Sequence, residues 1–140
     1  MARWICPRCD REFAATGQGH SCVPGSTVEE SLAPAAPWMR DCYAMIIEEV
    51  RQHGPVHEDA VRVGVFLKTE RKLAEFRPRA RTVRLTLYLP GQVEHPTLIS
   101  AEPAAARVMH HFTLRSADDL DDELLGLVGL AYDFASEDSG

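Results

Sequence analysis

The chain has 140 residues, 45% hydrophobic and 26% charged, and its 21 Asp and Glu outweigh 15 Lys and Arg for a formal net charge of −6. That length holds one domain, or one domain with a small appendage, and the composition excludes wholesale disorder. No apolar run approaches the ~18 residues of a membrane helix. Met1 to Cys9 is too charged and too broken by Cys and Pro for a signal peptide, so the cytoplasm is the expected compartment. A net acidic chain is also not a generic nucleic-acid coat protein.

Three zones follow one another. Residues 1–23 hold three of the four cysteines and little aliphatic content. Residues 24–37, PGSTVEESLAPAAP, read as a linker or irregular lead-in. Residues 38–140 carry the periodic signal. Trp38, Cys42, Met45, Ile46 and Val50 recur at spacings of three and four, which predicts a helix to His53, started by Pro37 and stopped by Gly54-Pro55. The period then falls to two. Val61, Val63, Val65 and Leu67 predict one strand, and Val83, Leu85, Leu87 and Leu89 a clearer one. Leu73 to Arg77, Leu98 to Glu102 and Arg107 to Leu114 are weaker strand segments. A last helix is expected from Ser116 as N-cap, with Asp118, Asp119, Asp121, Asp122 and Glu123 favoured in its first turns by the helix dipole. Leu120, Leu124, Leu127, Val128 and Ala131 form its apolar stripe. Without βαβ alternation the sheet should be largely antiparallel, with both helices on its buried side, in an α+β fold.

The first zone carries the most specific chemistry. Cys6 and Cys9 stand as C-x2-C, and His20 and Cys22 follow after ten intervening residues. Two such pairs can complete a tetrahedral shell on one zinc ion, and three Cys with one His leave no open position, which marks a structural site. Free thiols or a disulfide are the alternative. The segment has too few aliphatic residues to fold without a staple. Arg3, Arg8 and Arg11 make this lobe locally basic.

The run Trp4-x-Cys6-Pro7-x-Cys9-x-Arg11-x-Phe13, then Gln18-x-His20-Ser21-Cys22, resembles the N-terminal knuckle of a family of small bacterial proteins catalogued as domain of unknown function 5655. The resemblance continues through Val50-Arg51 and Gly54-Pro55-Val56, the Phe76 region, His110-His111, and Asp121-Asp122-Glu123-Leu124 to Ala131-Tyr132. It implies an α+β domain with an N-terminal zinc-binding lobe. It supplies no activity and no catalytic residue.

Residues 68–84 hold seven Lys and Arg against two Glu, inside an acidic chain. The alternation puts Arg62, Phe66, Lys68, Arg84 and Tyr88 on one outer sheet face. Basic residues interleaved with aromatics can bind single-stranded nucleic acid by phosphate contact and stacking, although charge on a solvated sheet face is ordinary. Glu70-x-Lys72 with Asp59 upstream fits part of a metal-dependent nuclease pattern, in which two carboxylates hold Mg²⁺ and the Lys orients water. His110 falls on the apolar face of its strand and suits a core histidine, or the edge of a small-molecule sensor pocket with Tyr132. Cys42 reads as a buried thiol. No nucleophile elbow, phosphate loop or dinucleotide fingerprint is present. The leading expectation is a non-enzymatic binding module with a structural zinc, engaging nucleic acid or a protein partner.

Overall fold

The helical and two-residue periods are both realised in the computed structural model, which describes residues 4–5, 12–13 and 27–137. Two short strands, β1 (Trp4–Ile5) and β2 (Glu12–Phe13), pair antiparallel. The segment read as a linker contains a helix, α1 (Val28–Leu32), capped by the Thr27 side chain, which accepts from the Glu30 N–H at 3.1 Å. Its Leu32, and Ala35 beyond it, join the core. Five residues are too few for a periodic signal, so only the Thr27 cap could have announced it.

Helix α2 (Pro37–His53) begins at the expected proline. Met39, Cys42, Tyr43, Ile46, Ile47 and Val50 are buried, whereas Met45, expected on this face, is exposed. Gly54 ends the helix at a φ of +152°, donating its N–H to the Val50 carbonyl. A Cβ there would collide with the Tyr132 hydroxyl, which donates to the Pro55 carbonyl at 2.8 Å. Glycine therefore lets the last helix dock against this turn.

The strand expected over Val61–Leu67 is instead a hairpin of β3 (His57–Val61) and β4 (Gly64–Lys68). Arg62 and Val63 form the turn. Gly64 has a φ of +155°, and a Cβ on it would overlap the Phe76 carbonyl. The apparent alternation across Val63 hid a turn that this glycine permits. Strand β5 (Lys72–Pro78) follows with a register shift: Leu67 faces Ala74 but Lys68 faces Lys72, so Leu73 has no partner across β4. The extra residue lets Leu73 and Ala74 both be buried while Lys72 joins Glu75 on the opposite face.

Strands β6 (Val83–Leu89), β7 (Leu98–Ala104) and β8 (Arg107–Leu114) complete the sheet. Its order is β3-β4-β5-β6-β8-β7 and every pairing is antiparallel. Ser116 precedes a 3₁₀ turn, Ala117–Asp119, rather than the helix itself. Helix α3 (Asp122–Ser136) starts later, capped by Asp121, whose Oδ1 accepts from the Leu124 N–H at 2.9 Å. The clustered acids of 118–123 offered several equivalent caps, which explains the shifted start.

The buried residues of all three helices join one cluster with Val65, Leu67, Phe76, Leu85, Leu87 and Phe112 from the inner sheet face. Each large side chain buried there contributes about 1.5–3 kcal/mol. The architecture is α+β in two layers, helices on one face of an antiparallel sheet. Among the described residues, no helix is long and apolar enough to cross a membrane.

Candidate functional site

The sheet's second face holds no member of that apolar cluster. Registers align its side chains in rows. Phe66 stands opposite Glu75, Glu75 opposite Thr86, and Thr86 opposite His111. In the next row Arg77 stands opposite Arg84, and on the other side Tyr88 faces Met109, which faces Glu102. The row geometry follows from the two-residue period, but its composition requires the register.

Glu75 organises this face. It is buried, and its carboxylate accepts from Tyr88 Oη at 2.8 Å and Lys72 Nζ at 3.2 Å on Oε2, and from Arg77 Nη2 at 2.6 Å on Oε1. Burial alone would raise its pKa. The Tyr88 hydrogen bond and the Lys72 and Arg77 charges outweigh that and hold it below the usual carboxylate range. Burial and the Glu75 bond push the Tyr88 phenol up to about 12. The cations also cap the aromatic rings. Lys72 Nζ lies 4.5 Å from the Phe66 centroid and 5.9 Å from that of Tyr88. Arg107 lies 4.3 Å over Tyr88, and Arg77 5.3 Å over Phe66. Both rings are therefore already stacked under protein cations.

Of the five residues assigned to the outer face from sequence, the strands carry Phe66, Lys68, Arg84 and Tyr88. Arg62 lies in the β3–β4 turn, at the sheet's end, because the predicted strand breaks there. The basic segment separates into two classes. Lys68 pairs with Asp59 at 3.1 Å, and Lys72 and Arg77 pair with Glu75. Arg71 donates to the Phe134 carbonyl at 2.5 Å. By contrast, Arg62, Arg79, Arg81 and Arg84 form no ion pair among the described residues. Three of these flank the face at the turns after β3 and β5, and Arg84 lies on it.

Two cavities adjoin these arginines. One, of about 360 Å³, lies on the open face between Glu75, Arg77, Arg84, Thr86, Glu102, Met109 and His111. The other, of about 260 Å³, lies at the sheet's end, lined by Ser31, Pro34, Arg62, Val63, Arg77, Pro78 and Arg79. Arg77 lines both. Within the first, Thr86 Oγ1 lies 3.0 Å from His111 Nδ1, and His111 Nε2 lies 3.1 Å from Glu102 Oε1. This has the order of a nucleophile, base and orienting acid. Yet Thr86 is 2% exposed and sits mid-strand, where backbone N–H groups serve the ladder rather than an oxyanion. The chain of bonds ties β6, β8 and β7 together. It was missed from sequence because Thr86, Glu102 and His111 are brought together only by strand register.

Among the described residues, no hydrogen bond or ion pair draws the nuclease set together. Asp59 is bonded to Lys68, Lys72 to Glu75, and Glu70 is exposed in the β4–β5 turn. The pocket pair is likewise divided. His110 is fully buried, with Nε2 accepting from the Val93 N–H at 3.0 Å and Nδ1 donating to the Val108 carbonyl at 3.1 Å. Tyr132 instead contacts the turn at Gly54 and Pro55. Neither lines the two cavities.

Cys6, Cys9, His20 and Cys22 lie outside the described residues. Within those described, His95, Asp121 and Glu123 hold potential ligand atoms within 4.8 Å of one another. The bonding of His95 and Asp121 is already allotted. His95 Nδ1 accepts from the Thr97 N–H at 3.2 Å, which leaves the proton on Nε2 to donate to Asp121 Oδ1 at 3.0 Å. The Leu124 N–H and then His95 hold the Asp121 carboxyl below its usual range. This trio caps α3. Cys42 is a buried free thiol, as the helical spacing suggested.

The family model described as Domain of unknown function (DUF5655) matches residues 28–135. The matched span runs from α1 into α3 and takes in the whole six-stranded sheet. No curated protein and no solved structure matches the chain.

Proposed function

We propose that this chain, which belongs to that DUF5655 family, is a non-enzymatic binding module whose partner is single-stranded nucleic acid. The observation that supports this reading is that, among the described residues, Arg62, Arg79, Arg81 and Arg84 form no ion pair and border a sheet face that no helix covers. Cations engaged in no ion pair are available to phosphate oxygens, which supply most non-specific nucleic-acid affinity. Contact runs through phosphates rather than bases, because Lys72, Arg77 and Arg107 already occupy the faces of Phe66 and Tyr88. The acidic net charge confines binding to this surface.

The same reading gives the N-terminal segment a structural zinc ion, held by Cys6, Cys9, His20 and Cys22. Three thiolates and one imidazole fit zinc, and the closed set suits a staple rather than a catalyst. Zinc would fold the lobe that carries Arg3, Arg8 and Arg11, adding a second basic surface.

The test is fluorescence anisotropy with a labelled single-stranded oligonucleotide, alongside elemental analysis. The double variant Arg81→Ala, Arg84→Ala should bind about a hundredfold more weakly, since each charge-assisted phosphate contact contributes roughly 1.5 kcal/mol or more. Unchanged binding would remove the arginines from the site. Cys9→Ser should lose metal, and retention of stoichiometric zinc in that variant would refute the ligand set.

A further inference from the structure

The cavity at the sheet's end has a composition that folding alone does not explain. Three arginines line it: Arg62 from the β3–β4 turn, Arg77 from β5 and Arg79 from the residue just beyond β5. Among the described residues, no carboxylate-bearing side chain lines it. Arg62 and Arg79 form no ion pair among the described residues, and both are exposed. Arg77 commits Nη2 to Glu75, while its Nε is buried without a hydrogen-bond partner. Three like charges gathered with only the Glu75 carboxylate to offset them repel one another, so the arrangement costs stability unless an anion completes it.

This lining is built in rather than incidental. Gly64 allows the β3–β4 turn to lie against the Phe76 carbonyl, and this sets Arg62 beside Arg77. The Arg79 N–H donates to the Thr82 carbonyl at 2.7 Å and closes the β5–β6 turn. Ser31 Oγ donates to the Val61 carbonyl at 2.9 Å and fixes the α1 side of the cavity. Pro34, Pro78 and Val63 complete it with stiff apolar walls.

We infer that this cavity is a phosphomonoester site, and that it receives the terminal phosphate of the strand bound on the adjacent face. The inference rests on the nucleic-acid reading above. Charge favours an end over an interior position. A terminal phosphate carries about −1.5 to −2 charges at neutral pH, against one for an internal diester. Three arginines, one of them partly neutralised by Glu75, match the larger value. Size agrees: about 260 Å³ lies below the usual range for whole drug-sized ligands, and suits a phosphate with its attached sugar. Continuity agrees as well. Arg77 lines this cavity and the one on the open face, where Arg84 can take the next phosphate.

The experiment compares one single-stranded oligonucleotide with a 5′-phosphate, with a 3′-phosphate and with hydroxyls at both ends. Binding to the full-length protein is followed by anisotropy. One of the phosphorylated forms should bind about tenfold or more tightly than the hydroxyl form, and which one identifies the end that enters. Arg62→Ala and Arg79→Ala should each shrink the ratio of phosphorylated to hydroxyl-ended affinity, beyond any loss that all three oligonucleotides share. Both side chains are exposed in turns, and urea unfolding curves matching wild type will show that the variants fold. Equal affinity for all three oligonucleotides would overturn the inference and leave the binding reading standing. Binding of none of them would overturn both. A phosphoserine peptide that binds more tightly than any oligonucleotide would assign the cavity to a protein partner and overturn the strand-end role.

Discussion

Replacing Glu75 with glutamine keeps the shape of the side chain and removes its charge. In the folded protein this carboxylate is 8% exposed and serves two cations, Lys72 at 31% and Arg77 at 38% exposure. Breaking a fully buried ion pair costs about 3–5 kcal/mol, and a surface pair about 0–1. A buried anion with two partly exposed cations falls between them, so Glu75→Gln should cost about 2 kcal/mol. At an m-value of 1–3 kcal/mol/M, that lowers the urea midpoint by roughly 1 M. The effect should depend on pH. The Glu75 carboxyl titrates lower in the folded chain than in the unfolded one, so its stabilisation is complete above the unfolded value and is lost as pH falls through the folded one. Wild type and variant should therefore converge in acid. Nucleic-acid affinity should move the opposite way. With Glu75 neutral, Lys72 and Arg77 become available to phosphate, and each added contact steepens the salt dependence by about 0.7 for a single strand. A variant as stable as wild type at neutral pH, or one that binds more weakly, would refute the idea that Glu75 holds these cations in reserve.

Three further outcomes follow from other parts of the fold. Gly64→Ala must fit a Cβ into the Phe76 carbonyl at a φ of +155°, and should cost about 2 kcal/mol or more in urea unfolding; a neutral result would mean the hairpin lies farther from β5. His53 bridges α2 and α3, with Nδ1 3.0 Å from Asp133 and Nε2 3.1 Å from Glu49. The Asp133 bond above all raises its pKa, so its contribution is full below about pH 6.5 and disappears as pH rises through the folded value. His53→Gln should flatten that segment of the stability profile, and an unchanged profile would count against the bridge. Burial first, then Asp41 and Asp119, push the Cys42 thiol up to about 11. Native protein treated with iodoacetamide at pH 8 should carry no label on Cys42, and rapid labelling there would contradict its burial.

The layers of the fold were legible wherever a period ran long enough. The α2 spacing and the alternation of Val83 to Leu89 led to a helix and a strand at nearly those positions. Short features escaped, since α1 has five residues and the β3–β4 turn imitates two steps of a strand. The site was legible only in part. Its basic segment stood out in composition, and Phe66, Lys68, Arg84 and Tyr88 share a face because side chains alternate. Which arginines lack a partner was hidden, because Glu75, Asp59 and the Phe134 carbonyl select theirs through register and a bulge. The joining of Thr86, His111 and Glu102 was hidden for the same reason, since pairing β6 with β8 and β8 with β7 is a tertiary choice.

The central claim is that phosphate meets unpaired arginine on this protein, and the most direct measurement is the salt dependence of single-strand binding by the wild type. Three or more phosphate contacts, as Arg62, Arg79 and Arg84 would provide, predict a slope of log K against log salt of about −2 or steeper. Binding with a flat slope, or no binding at low salt, would contradict it.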